Sequence, residues 1–406
     1  MPLRYGVSPW TSQFPGARRP AFPKYKGDAS TDVVIIGAGL TGCATAYACA
    51  VGGIKSVVLE SDRVGCGATA YGTGLILPEP GPAFRDIVRA HGLRAGKHAF
   101  TAWRRAALDA ASLLRRLNIR CGLEPLDSLV TAHEDAEKTL RREYDARMDA
   151  GLDLAWLTER HTRAVTRADD VSAFRQAGAF ALDPYRACLG IASAARTRGA
   201  TFYEASPVRK VRVAPRHVEI VSEHGTLRAA TVIVTTGAPT SLFAPLRRHF
   251  AARDTYQVLT DMMSPSVRRQ VGVASATIRD SHTPPHRIRW TADHRALIAG
   301  AEQAEAPTRI RDARVREWTF ELMYELLKMY PAISGLQPAY GWRLASAVTK
   351  DGLPYIGPHR NYPRHLFALG GAAGESTTGA FLAAKIVVRA LEGKSETSDE
   401  TFGFTR

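Results

Sequence analysis

With 406 residues, 45% hydrophobic and 23% charged, the chain can build two domains, each with a sizeable core, and its composition is that of a soluble globular protein. No apolar run of spanning length occurs, the first twenty residues lack an apolar h-region, and five scattered cysteines form no C-x-x-C, so a soluble, unsecreted, cytoplasmic protein without a disulfide framework or transmembrane segment is expected. The excess of 54 Lys+Arg over 39 Asp+Glu, a net +15, suits an anionic partner, but the basic residues are dispersed, which argues against DNA binding and for a generally arginine-rich surface.

Residues 1 to about 30 are rich in Pro, Gly and aromatics (Trp10, Phe14, Phe22, Tyr25) and form an arm expected to lie over the surface of the folded domain or over a partner subunit. From Asp32 an apolar, β-branched run reads as a strand buried on both faces of a parallel sheet. It breaks at Gly37-Ala38-Gly39-Leu40-Thr41-Gly42 and continues as a small-residue helix, then as a second strand ending at Glu60. Gly37 allows the tight turn, Gly39 lets backbone approach a pyrophosphate, and Gly42 brings helix and strand together, with phosphates on the unpaired amides at Leu40 and Thr41. Glu60, 23 residues after Gly37, can accept from both ribose hydroxyls and would repel a 2′-phosphate, which favours FAD or NAD over NADP.

The loop that follows, from Ser61 through Arg63, Gly67, Ala68, Thr69, Gly72 and Thr73 to Gly74, is dense in small residues and suits a backbone running close to a flat or charged ligand. After the break at 78–82, residues 98–117 form a basic amphipathic helix expected to pack on its own domain, 123–131 a strand, and 136–150 a charged, solvent-facing helix. Residues 181–184 turn into a helix over 185–198; a short strand, a β-meander over 207–221 and an apolar strand ending at Thr236-Gly237 follow, the last expected in the same parallel sheet as the first strand. Stretches 249–259, 287–291 and 296–301 read as strands of a second, largely antiparallel sheet, with 292–295 as a hairpin turn. A long helix over 309–330 and a strand over 340–347 lead to T-K-D-G-L-P-Y-I-G-P. A final strand at 366–369 opens into a glycine-rich loop and a last helix from Ser376 to Leu391. Small residues up to Gly374 and Glu375, then Ser376, Thr377 and Thr378 at that helix start, present free amides suited to a ring edge that gains negative charge on reduction.

The stretches VVIIGAGLTG with Glu60, VGCGATAYGTG, ALDPYRACLGIASAARTRGATFYEASPV, TVIVTTGAP, TKDGLPYIGP and GGAAGESTTGAFLAAKIV together resemble the D-amino-acid oxidase superfamily of FAD-dependent oxidoreductases, in the glycine oxidase, sarcosine oxidase and γ-glutamylputrescine oxidase branch. The resemblance implies a mixed α/β and α+β chain. A discontinuous Rossmann-like FAD-binding domain (30–88, 156–248, 335–395) with a parallel sheet and β-meander joins a mostly antiparallel substrate domain (89–155, 249–334), flanked by an arm (1–29) and a tail (396–406). It implies FAD on Gly37, Gly39, Gly42 and Glu60, adenine beside the backbone of Val208, and the flavin between residues 69–74 and 374–378 near Thr236 and Gly237. The reaction implied is oxidation of a C–N bond of a small amine or amino acid, with O2 or another electron acceptor. Oxidation of an amine on a modified tRNA base is the alternative within enzymes, and a flavin-bound assembly factor the alternative outside them.

Three departures from the family pattern stand near the ring. Its Ser-Gly-Arg-Asn-Gly-Gly is here Thr69-Ala70-Tyr71-Gly72-Thr73-Gly74, and its Gly-His-Gly is Gly374-Glu375-Ser376. The arginine that binds the substrate carboxylate in glycine oxidase-like sequences corresponds to Ser346, three residues after Arg343. No cysteine lies in the C-terminal loop, so FAD is expected to be non-covalent. Arg287 and Arg289, two apart on one strand face, with Tyr256, Trp290, Tyr340 and Arg343, are the candidates for substrate contact, an arginine fork suiting a carboxylate; no metal site is expected.

Overall fold

The apolar run after residue 28 forms the central strand Ala29–Ile36, whose last four side chains are all buried. Its neighbours are Ser56–Leu59 on one side and Gly225–Gly237 on the other, both parallel to it, with Val33 to Ile36 opposite Ser56 to Leu59. Continuous Val and Ile runs are what a sheet covered on both faces requires. In this computed structural model, which describes residues 3–168, 172–372 and 376–406, the sheet extends to Tyr362–Leu369 and Tyr355–His359 at one edge and Thr201–Tyr203 at the other. The meander strand Val218–Ser222 pairs antiparallel with Gly225–Gly237, and Val208–Val213 pairs antiparallel with Val218–Ser222.

The helices Leu40–Val51, Pro184–Thr197 and Ser376–Leu391 pack together on one face of this sheet. Asp183 caps the second of them by accepting the amide of Arg186, and Pro184 occupies its first turn. Phe243, Phe367, Tyr25 and the meander cover the other face. The helix Leu93–Arg116 buries Phe100, Trp103, Ala107, Ala111 and Leu114 in the same core, so its apolar stripe is satisfied within the chain. Among the described residues, no helix is long and apolar enough to cross a membrane.

The second sheet is mostly antiparallel. Its order runs Arg4–Tyr5, Pro338–Thr349, Phe250–Thr260, Ala296–Ala304, Arg287–Trp290, Ala276–Arg279, Glu124–Ala132, Ser172–Ala181 and Leu75–Ile76. One face packs on the helix Arg311–Met329 through Val258, Ile298, Val315, Leu322 and Leu326. The opposite face looks toward the nucleotide-binding half. Strands at 75–76, 172–181 and 338–349 fall within intervals expected of the FAD-binding domain, and all three pair in this sheet instead.

The helix Glu137–Asp149 is not the wholly solvent-facing element that its charge suggests, because Glu143 and Arg147 turn inward. Arg147 donates to Glu143 at 2.8 Å and to Glu79 at 2.5 Å, with its guanidinium over the rings of Phe100 and Phe174. Burial pushes the Glu79 carboxyl up, but the Arg147 guanidinium outweighs it and holds the group below the usual carboxylate range. Removing one partner of such a buried set leaves charge uncompensated, so Glu79→Gln is expected to destabilise the fold by about 3 kcal/mol at pH 7. Because the folded-state pKa is depressed, this contribution is complete above the unfolded value and is lost as pH falls through the folded one. The gap between wild type and variant, read from urea unfolding, therefore closes toward the acid end of the carboxylate range.

Candidate active site

The turn after the first strand is built by close approach. Gly37 has φ +102°, and a Cβ there would stand 2.9 Å from the Thr235 carbonyl oxygen. At Gly42 a Cβ would overlap the carbonyl oxygen of Gly37, so only glycine lets the helix start lie against the strand end. Thr69 Oγ accepts the Leu40 amide at 2.9 Å, which fastens the 68–71 turn across the N-terminus of the helix. Glu60, at the end of the second strand, accepts the amides of Ala38 at 2.7 Å and Asp62 at 2.9 Å, and the Ser61 hydroxyl at 3.1 Å. Its carboxylate is thereby held beside the glycine turn.

A cavity of about 630 Å³ opens from this turn. Thr41 and Ala68 line one end, Thr236 to Pro239 and Gly370 to Ala372 the middle, and Gly379, Ala380 and Ala383 of the last helix the floor. The wall opposite is the antiparallel sheet, through Phe250, Ala252, Arg253 and Leu344 to Ala347. Small residues on three sides and positive φ at Gly237, Gly370 and Gly371 give a slot that a planar group can enter. Thr378 both accepts the Leu77 amide and donates to the Leu77 carbonyl, each at 2.9 Å, and so fixes the start of the last helix. Thr377 is buried at the same turn, whereas Gly374, Glu375 and the side chain of Ser376 lie outside the described residues.

The 71–74 loop is clamped from the sheet. Tyr71 O accepts Gln257 Nε2 at 2.6 Å and Trp342 Nε1 at 3.0 Å, Gly72 O accepts Trp10 Nε1 at 2.9 Å, and Gly74 O accepts the Arg289 guanidinium at 2.8 Å. With these carbonyls tied back, Thr73 stands at a second cavity of about 70 Å³, shared with Thr255, Arg279, His286, Arg287 and Glu302. The N-terminal arm thus takes part in the site through Trp10. Because Tyr71 O would keep Gln257, losing the Trp342 donor costs about 0.5–1.5 kcal/mol. Trp342→Phe is accordingly expected to weaken flavin retention by about tenfold, read from the fluorescence of flavin released on dilution.

Strand register sorts the six substrate candidates. Arg287, Arg289 and Tyr340 lie on the sheet face that carries Gln257 and Trp342, since Arg287 is opposite Ala299, Arg289 opposite Leu297 and Tyr340 opposite Leu259. Of the six, Arg287 alone lines one of these two cavities. Arg289 is fully buried, where desolvation pulls its pKa down to about 10, and it holds backbone carbonyls while stacking on Trp10. Tyr340 packs against the arm near Arg4 and Gln13. Tyr256, Trp290 and Arg343 point to the helix side, where Tyr256 stacks on Trp318, Trp290 meets Tyr330, and Arg343 pairs with Asp254.

Arg253, which sequence reasoning passed over, stands directly opposite Ser346 in the strand pair and lines the large cavity with it. The signal was available as alternation, because 253, 255 and 257 share one face. Val208 opens its meander strand half-buried, Arg63 and Gly67 are exposed, and Thr236 donates to the Ala238 carbonyl at the cavity wall. The cavity and the glycine turn fit FAD. The Leu40 amide, expected to be free for a phosphate, is instead donated to Thr69, so of that pair Thr41 is the residue that lines the cavity, and the slot between Thr236 to Pro239 and Gly370 to Ala372 has room for a flat ring.

Residues 32–390 match the family model described as DAO, FAD dependent oxidoreductase. Among characterised relatives, the chain is 23% identical over 377 residues to gamma-glutamylputrescine oxidoreductase of Escherichia coli (strain K12), covering 91% of this chain and 85% of that protein. It is 25% identical over 364 residues to glycine oxidase of Bacillus licheniformis, covering 84% and 87%. Among solved structures, glycine oxidase from Geobacillus kaustophilus superposes with a TM-score of 0.75 at 19% identity, over 93% of this chain and 99% of that one.

Proposed function

The chain belongs to the DAO family of FAD-dependent oxidoreductases, and from that premise we propose that it oxidises the C–N bond of a small amino acid. FAD held in this cavity would supply the hydride acceptor for a carbon that bears a neutral amine, and water would hydrolyse the resulting imine. The chain's own task is to hold that carbon over the ring and keep the carboxylate away from it.

The observation that carries the reading is the row of polar side chains on the sheet face toward the nucleotide half. Arg253 stands at the large cavity, 3.6 Å from Glu302, while Thr255, Arg279, Arg287 and the same Glu302 surround the small one opposite Thr73, three guanidinium groups against one carboxylate. Guanidinium groups in such a cavity suit a carboxylate, with Arg287 as the anchor and Arg253 at the entrance in place of an arginine at Ser346. Non-covalent FAD is part of this reading, because none of the five cysteines lines the large cavity. Dioxygen or another acceptor then takes the electrons. The test is turnover of a panel of amino acids and matched amines with an artificial electron acceptor. A 2-oxo acid formed together with ammonia or a released amine supports the reading, and turnover of amines without a carboxylate alone would replace it with an amine oxidation.

A further inference from the structure

We propose that Asp280, His282 and His286 form a binding site for a divalent transition-metal ion of the zinc class, separate from the flavin cavity. The three lie in the connection between the strands Ala276–Arg279 and Arg287–Trp290, with Asp280 immediately after the first and His286 immediately before the second. One carboxylate oxygen, Asp280 Oδ2, receives both imidazoles, His282 Nδ1 at 2.8 Å and His286 Nδ1 at 2.7 Å. All three donor atoms lie within 4.8 Å of one another.

Two imidazoles and one carboxylate are a donor set that zinc accepts in tetrahedral geometry, with bonds of about 2.0–2.2 Å and a water in the fourth position. Such bonds set donor-to-donor spacings of about 3.3 Å. The two separations from Asp280 Oδ2 to the imidazoles need open by about half an ångström to admit the ion, with the two Nδ1 atoms, within 4.8 Å of each other, settling to the same spacing and each ligating imidazole carrying its proton on Nε2. The other carboxylate oxygen is already engaged: Asp280 Oδ1 accepts the amides of His282 at 3.2 Å and His286 at 2.7 Å. Outer hydrogen bonds of this kind fix a ligating carboxylate in orientation. Asp280 N donates to the His286 carbonyl at 3.2 Å and closes the loop, which holds these two ligands beside each other.

Burial supports the assignment. Asp280 and His286 are buried, while the His282 side chain is 41% exposed and gives the ion a way in. A structural Asp–His pair needs only one imidazole, and here a second, accessible one is turned onto the same oxygen. His286 also lines the small cavity beside Arg287, so an ion held here would fix the end of the strand that carries Arg287.

The test uses the full-length flavoprotein, freed of any histidine tag, stripped with chelator and titrated with Zn²⁺, then with Co²⁺ as a spectroscopic stand-in. One ion per chain with a Kd of about 1 μM or tighter is expected, with the intense visible absorption of tetrahedral Co²⁺. His282→Ala, at the exposed ligand, should weaken binding by about 100-fold and leave the flavin spectrum unchanged; His282→Gln, which keeps a donor to Asp280, should weaken it as much. The proposal is overturned if no stoichiometric ion binds, if Co²⁺ gives only a weak octahedral spectrum, or if both variants bind like wild type.

Discussion

Gly42→Val is expected to yield a folded but colourless protein. A side chain at this position would overlap the Gly37 carbonyl oxygen and crowd Thr235 Oγ1, so the helix Leu40–Val51 must move off the strand end. The helix start that carries Thr41 then moves away from where a pyrophosphate would lie, and the bond from the Leu40 amide to Thr69 is lost with it. A loss of at least about 100-fold in FAD affinity follows, equivalent to about 2.7 kcal/mol. The ratio of flavin absorbance to protein absorbance after gel filtration reads it directly. Far-UV circular dichroism should remain close to wild type, because the sheet core from Val33 to Ile36 is untouched. Full flavin occupancy in this variant would contradict the role given to the turn.

The second large effect is expected at Arg287. Arg287→Met removes the guanidinium from the small cavity while keeping a side chain of similar length against Thr255 and Ala299. For an amino-acid substrate the KM should rise by about 100-fold, about 2.7 kcal/mol of lost binding, with kcat changed far less. Arg287→Lys should recover part of this, since it restores charge without the fork. A matched amine lacking the carboxylate should be turned over equally by wild type and variant. Equal losses on both substrates would show that Arg287 shapes the loop and does not read the carboxylate.

The nucleotide half was legible because its signals are local. A buried strand, three glycines, a small-residue helix and a terminal acid lie within Asp32–Glu60, and the last helix begins and ends where the sequence places it. The substrate half was less so. The strand Ser172–Ala181 is alanine-rich and interrupted by Arg175 and Gln176, so no clean alternation marks it; its place is set by pairing with Glu124–Ala132. Glu143 and Arg147 look like surface charges until Glu79, far away in sequence, is brought against them.

The substrate candidates illustrate the same limit. The choice between Tyr256 and Thr255, or Arg343 and Ser346, depends on which face of a strand the helix Arg311–Met329 covers. Alternation groups Arg253 with Thr255 and Gln257 but does not say which face turns to the cavity, because both faces of each strand mix apolar and polar residues. Arg287 and Arg289 are equivalent by alternation, yet only the packing of Trp10 and Gly74 makes one a backbone clamp and leaves the other at a cavity.

The most direct test of the account is an anaerobic titration of the purified flavoprotein with amino acids, followed at the visible flavin band. Stoichiometric bleaching by one class of amino acid, to the same end point as dithionite, is the expected result. A band bleached by dithionite but by no amino acid or amine would contradict it.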